Sequence, residues 1–220
     1  MSEFAKLVFT PAGLNDVSLA VAATRAGAVG IYNAELEADP SRVIAALERL
    51  ALNAGGPFGV KLDALDESVL DCLPALVASG LRWLIVDEPL LASERARWSA
   101  LRLAGVTLLA EVVSPSWNGA ALDADVDGVL IKGNEAGGFV GENSSFILVQ
   151  RWRGRTSLPM FVRGGLTPQV AAACSAIGLC GGVLDSQLLL LEEVRLPDAL
   201  RAQIGNLAGN SVSTAERAGR

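Results

Sequence analysis

The sequence predicts an α/β protein, a parallel eight-stranded (β/α)₈ TIM barrel, on three observations. Short apolar runs alternate with longer, partly polar Ala/Leu-rich stretches along the whole chain. The runs recur at intervals of roughly 20–30 residues, the length of one strand–loop–helix unit. There are about eight of them, and strict alternation forces parallel strands with right-handed crossovers. Eight units close into a barrel, where five or six would leave an open sheet.

The expected strands, in order, are Leu7–Thr10, Ala28–Tyr32, Phe58–Leu62, Trp83–Val86, Thr107–Val112, Gly128–Ile131, Met160–Val162 and Gly182–Leu184. Between them the pattern predicts helices at Ser41–Asn53, Ser68–Ser79, Ser93–Ala104, Ser144–Trp152 and Thr167–Ile177. Asp39-Pro40-Ser41 and Thr167-Pro168 place a capping side chain beside a proline, the arrangement of a helix entry. Leu196–Leu207 reads as a last covering helix, and residues 1–208 as one barrel domain. Residues 209–220, which include Ser211, Ser213 and Thr214, read as a flexible tail or linker to something larger.

Composition narrows the function. A hydrophobic content of 51% suits strands covered on both faces. The net charge of −6 argues against nucleic acid or an anionic membrane as a general partner. Charged residues such as Arg25, Lys61, Asp87 and Lys132 interrupt the most apolar stretches, so no membrane helix is expected. The N-terminus is mixed in charge and soon broken by Pro11, unlike a secretory leader. Cys72, Cys174 and Cys180 lack metal-type spacing and read as small buried hydrophobes of a cytoplasmic protein. The chain has no histidine, which removes the commonest metal ligand and the commonest general base, and no metal site is expected.

In such a barrel the chemistry sits at the C-terminal ends of the strands. Those ends deliver Gly13; Asn33 to Glu35; Lys61; Asp87; Glu111; the Lys132–Gly138 segment; Arg163 with Gly164 and Gly165; and Asp185 with Ser186. Gly164-Gly165, together with Gly182 and Ser186, are residue types a phosphate site requires. Glycine lets backbone N–H groups approach the anion, and a hydroxyl adds a donor. The same glycines also serve plain tight turns.

The segment Lys132–Gly141, KGNEAGGFVG, resembles the "G-x-E-A-G-G-H-x-G" segment of nitronate monooxygenases and FMN-dependent enoyl-ACP reductases. It is also similar to barrel domains attached to polyketide and polyunsaturated-fatty-acid synthases. Met160–Leu166 resembles that family's "P-V-I-A-A-G-G-I", and Gly178–Leu189 its "G-A-D-G-V-x-M-G-T-x-F"; thinner echoes lie at Phe9–Gly13 and Gly59–Leu62. The resemblance implies a flavin oxidoreductase acting on a small molecule or an acyl thioester. FMN would lie over the barrel mouth, with its phosphate held by Gly164, Gly165, Gly182 and Ser186. Gly13, Gly137 and Gly138 would back the cofactor, and Lys61 would face it. Acid–base work would fall to Glu135, Lys132 or Tyr32.

The chain departs from that pattern at three places. Phe139 stands where the family has its catalytic histidine, Asp185 replaces a small residue beside the phosphate, and the small substrate domain is missing. Two further readings therefore stand beside the first. One is a non-catalytic, degenerate barrel of a larger synthase, whose partners are the other synthase domains. The other is a Schiff-base lyase using Lys132 or Lys61, with Glu111 or Glu135 as proton shuttle. Glu135 has a structural alternative of its own, ordering its loop through backbone amides. Trp83, Trp98, Trp117 and Trp152 are read either as helix–sheet seams or as a docking surface.

Overall fold

A computed structural model describes residues 4–116 and 125–207. Eight parallel strands close into a barrel in chain order: β1 (Ala5–Phe9), β2 (Val29–Asn33), β3 (Phe58–Leu62), β4 (Leu81–Asp87), β5 (Thr107–Val112), β6 (Gly128–Lys132), β7 (Met160–Arg163) and β8 (Gly181–Leu184). The pairing of β1 with β8, Leu7 opposite Val183, completes the ring. The predicted fold class is thus the observed one, with no inserted second domain among the described residues.

The covering helices are α1 (Ser18–Arg25), α2 (Pro40–Asn53), α3 (Glu67–Ala78), α4 (Arg95–Leu103), α5 (Ser145–Trp152), α6 (Pro168–Ala176) and α7 (Asp198–Gly205). Their starts are local in origin. Asp39 and Asp66 accept the backbone N–H of Ser41 and Ser68, while Ser144 and Thr167 accept those of Ile147 and Val170. Helix α1 was not expected from the pattern, and the stretch expected as Ser93–Ala104 divides in two. Behind Pro89 the chain first winds as a 3₁₀ segment, Glu88–Glu94, before α4 begins at Arg95. Residues 209–220, expected as a tail, and Trp117 lie outside the described residues.

Alternation along the strands assigns two faces. Outward residues such as Val60, Leu84, Val86, Leu108 and Ala110 pack against α2, α3 and α4 in one core cluster. Inward residues Leu7, Phe9, Ile31, Ile85, Leu109, Leu130, Phe161 and Val183 fill the barrel interior. Gly59 supplies the missing volume on β3, because a methyl there would overlap Trp83 and Ile31. Trp98 and Trp152 are buried in the helix layer, their indole N–H groups donating to Leu91 O at 3.0 Å and Ser114 O at 3.1 Å. Trp83 meets Phe161 edge-on inside the barrel. Trp98 and Trp152 are thus helix–sheet seam residues, and Trp83 packs in the barrel lumen.

Candidate functional site: an ionic layer across the barrel mouth

On β2 to β8 the inward face turns polar two positions beyond its last small or apolar residue. Ile31 is followed by Asn33, Gly59 by Lys61, Ile85 by Asp87, Leu109 by Glu111, Leu130 by Lys132, Phe161 by Arg163 and Val183 by Asp185. The period of two that builds the apolar interior therefore places a ring of polar side chains at the C-terminal end of the barrel. Glu35, just past β2, reaches into the same layer. Lys61, Lys132 and Glu35 are completely buried, and Arg163 almost so.

The ring is connected throughout. Lys132 Nζ donates to Glu35 Oε1 at 2.9 Å and Oε2 at 3.1 Å, and to Glu111 Oε1 at 3.3 Å. Arg163 Nη1 donates to Glu111 Oε2 at 3.0 Å and stands 3.6 Å from Glu35 Oε2; its Nε donates to Asp185 Oδ2 at 3.1 Å. The guanidinium carbon also lies 4.7 Å from the centre of the Phe9 ring, a cation–π contact with the strand that carries no charge here. Lys61 Nζ makes no well-angled hydrogen bond, yet it is 2.6 Å from Asp87 Oδ1 and 3.4 Å from Glu111 Oε1. Coulomb attraction holds it. Asn33 Nδ2 is buried without a hydrogen-bond partner.

Burial alone would disfavour the charged forms of Glu111 and Lys61, and their neighbours prevent it. Desolvation pushes the Glu111 carboxyl up, but Lys61, Arg163 and Lys132 outweigh it and hold the carboxyl down at about 2. Desolvation likewise lowers Lys61, and Glu111, Asp87 and Glu35 more than restore it, leaving the amine above its ordinary range. Arg163 is raised by the same balance of burial against Glu111, Asp185 and Glu35. Asp87 goes the other way: burial raises it further than Lys61 lowers it. A nucleophilic lysine needs its amine neutral. The opposite shift at Lys61 disfavours the Schiff-base reading at that residue.

The segment after β6 closes over this layer. The Phe139 N–H donates to Glu35 Oε1, and Gly137 O accepts from Arg163 Nη2 at 3.2 Å. Gly138 has φ +83°, and a methyl there would overlap the Glu35 carboxylate. The root of the segment is pinned separately. Glu135 accepts from Ser145 N at 3.0 and 3.1 Å and from Ser145 Oγ, at the N-terminus of α5 where a carboxylate is favoured. Glu135 thus orders its own loop. Lys132 and Glu135 do not pair with each other: one faces the ring, the other faces α5.

Of the residues expected to hold a phosphate, Ser186 has its amide engaged elsewhere, and the glycines have little room on their Cα side. Gly164 (φ +124°) and Gly165 (φ +60°) pack on the side chain of Glu135. The Ser186 N–H donates to Asp185 Oδ1 at 2.7 Å, and the Asp185 N–H to Gln187 Oε1 at 2.9 Å. Gln187 is anchored in turn through Nε2 to Leu166 O at 2.9 Å. Gly182 lies against Leu166, and Gly13 (φ +73°) against Leu36. With those amides engaged and a carboxylate at the turn, a flavin phosphate does not fit the β8 end as it stands. Among the described residues, no group of three or more acidic or cysteine side chains is placed to hold a metal.

A closed parallel barrel with its polar groups gathered at the C-terminal strand ends is the (β/α)₈ architecture. Solved structures with this fold include FabK from Thermotoga maritima, at TM-score 0.77 and 21% identity over 94% of this chain and 66% of that one. Nitroalkane oxidase from Streptomyces ansochromogenes matches at TM-score 0.67 and 19% identity, over 89% of this chain and 69% of that one. Tryptophan synthase from Mycobacterium tuberculosis matches at TM-score 0.58 and 19% identity, over 87% and 86%. No family model and no curated protein matches the chain. The chain spans about two thirds of the FabK length (66%), and at these identities the likeness is one of fold. Among the described residues, no helix is long and apolar enough to cross a membrane.

The sequence pointed to Lys132, Lys61 and the glycines but not to the ring as a unit. Glu35, Asp87, Glu111, Arg163 and Asp185 were visible as polar strand ends. The signal that joins them is parity: each except Glu35 continues the inward face of its strand.

Proposed function

We propose that this chain is a non-catalytic barrel module of a larger synthase, one that keeps the shape of flavin-dependent oxidoreductases and has closed the mouth where their chemistry is done. One observation carries the reading. The Glu35 carboxylate lies across the mouth, bound by Lys132, Arg163 and the Phe139 N–H, with residues 137–139 tied down over it. Phe139 in place of a catalytic histidine, and Asp185 consuming the Ser186 amide, support the same conclusion. The synthase context and its neighbouring domains as partners rest on the resemblance of KGNEAGGFVG to synthase-attached barrels. The test is the visible spectrum of the purified chain before and after adding FMN. A colourless protein that leaves the flavin spectrum unchanged is expected. A yellow protein whose flavin bands bleach with reductant would overturn the proposal.

A second reading, an FMN-dependent oxidoreductase of the nitronate monooxygenase or enoyl-reductase type, is favoured by the same motif and by the fold likeness to FabK and nitroalkane oxidase. It takes a small molecule or an acyl thioester as substrate, with Gly164, Gly165, Gly182 and Ser186 around the phosphate. It requires residues 137–139 to leave the mouth and the Asp185 and Ser186 amides to be released. The same spectrum decides between the two.

A further inference from the structure

The environment of Glu35 differs from that of the other carboxylates in the ring. Glu111, Asp87 and Asp185 lie on the inward face at the strand ends, whereas Glu35 is brought in by a loop. The next residue, Leu36, adopts φ +72°, the left-handed region that a γ-branched side chain rarely occupies, and its own side chain is exposed. Such strain persists only where the surroundings enforce it. Here the turn delivers one carboxylate into the barrel, and the Glu35 N–H is steadied by Asn33 Oδ1 at 3.2 Å.

What receives that carboxylate is a built set of donors. Lys132 Nζ stands 2.9 and 3.1 Å from its two oxygens, Arg163 Nη1 stands 3.6 Å from Oε2, and the Phe139 N–H points at Oε1. Two buried cations and a half-buried backbone amide around one buried carboxylate are what a protein uses to bind a carboxylic acid ligand. Both cations keep other partners when Glu35 is removed, Glu111 for each and Asp185 for Arg163, so the donors stay in place.

From this geometry we infer that Lys132, Arg163 and the Phe139 amide form a carboxylate-binding site at the barrel mouth, and that Glu35 occupies it in place of a ligand. The inference deepens the closed-mouth reading by naming what the closed mouth recognises: a monocarboxylate head group, presented here by the protein's own loop. The left-handed turn at Leu36 is the point about which that loop would swing to vacate the site.

Chemical rescue of Glu35→Ala tests this on the full chain. Truncation removes the carboxylate and leaves room for a small one. Thermal unfolding of the variant is followed with sodium acetate against sodium chloride at equal ionic strength, with the wild type alongside. A saturable rise in Tm of several degrees is expected for Glu35→Ala in acetate only, because a ligand bound to the folded state alone stabilises it. The wild type, whose site is filled, should not respond. Glu35→Ala/Lys132→Met should lose the acetate response. An equal response to chloride and acetate, or an acetate response of the same size in the wild type, would overturn the proposal. If Glu35→Ala yields no folded protein in chloride, the readout becomes the refolded fraction in each salt, and recovery in neither salt also overturns it. The readout needs no flavin. FMN binding by the wild type would therefore sink the non-catalytic reading while the acetate comparison still judged the carboxylate site.

Discussion

The ammonium of Lys132 stands 2.9 Å from Oε1 of Glu35, a residue 97 positions earlier in the chain. Neither group touches solvent. The contact joins β6 to the loop after β2 across the barrel lumen, so it exists only once the ring has closed. Predictions about this layer are therefore predictions about the closed barrel.

Glu111→Gln should be the most damaging single change in the ring. Its carboxylate meets Lys61 at 3.4 Å, Lys132 at 3.3 Å and Arg163 at 3.0 Å. Removing one partner from a buried ion pair costs about 3–5 kcal/mol. At the lower figure that is a fall in Tm of roughly 6–12 °C for a chain of this size. Urea unfolding measures it, and a loss below about 1 kcal/mol would show that the pairs are not buried as described.

Coupling between Glu35 and Lys132 should be direct. Glu35→Gln and Lys132→Met each leave a charge short of one partner, and the double substitution removes both. The cycle should return an interaction energy of about 1–3 kcal/mol, with the double variant less unstable than the sum of the single ones. Strict additivity would mean the 2.9 Å contact carries no energy.

Acid should loosen the barrel from the mouth. Glu111 has a folded-state pKa held at about 2, below the ordinary glutamate value of 4.5. A depressed carboxylate stabilises the fold fully above pH ~4.5 and loses that contribution as pH falls toward 2, by about 3 kcal/mol in all. Unfolding free energies measured across this range should decline for the wild type and decline less for Glu111→Gln. Asp87 works against the trend. Its raised value means that its charged form costs stability at neutral pH, a cost relieved as pH falls through that value.

Gly164→Ala should destabilise the barrel by about 1–3 kcal/mol without any ligand being involved. Gly164 has φ +124°, and a methyl there would crowd the Glu135 side chain. Unchanged stability in chemical denaturation would mean that the β7 turn is free to rearrange, which would return Gly164 and Gly165 to a phosphate-binding role.

Phe139→His should not restore chemistry. The backbone N–H at that position is bound to Glu35, and the loop root is held by Glu135. The variant is expected to stay silent toward nitronates and enoyl thioesters, assayed with excess FMN. Turnover would support the second reading.

Features set by neighbours a few residues apart are legible in the sequence. Apolar runs alternating with capped helices at Asp39 and Thr167 specify βα units, and eight such units specify closure. Strand parity even determines that Lys61, Glu111, Lys132 and Arg163 point inward. Which charge meets which is settled by barrel closure. Closure brings Glu35 to Lys132 and Arg163, and sends Glu135 to Ser145 rather than into the mouth. It also gives the Ser186 amide to Asp185, where the sequence pattern suits a phosphate. The physical reason is that a buried charge must find a partner within a few ångströms. Which partner is in reach depends on the lumen's geometry, which no local pattern encodes.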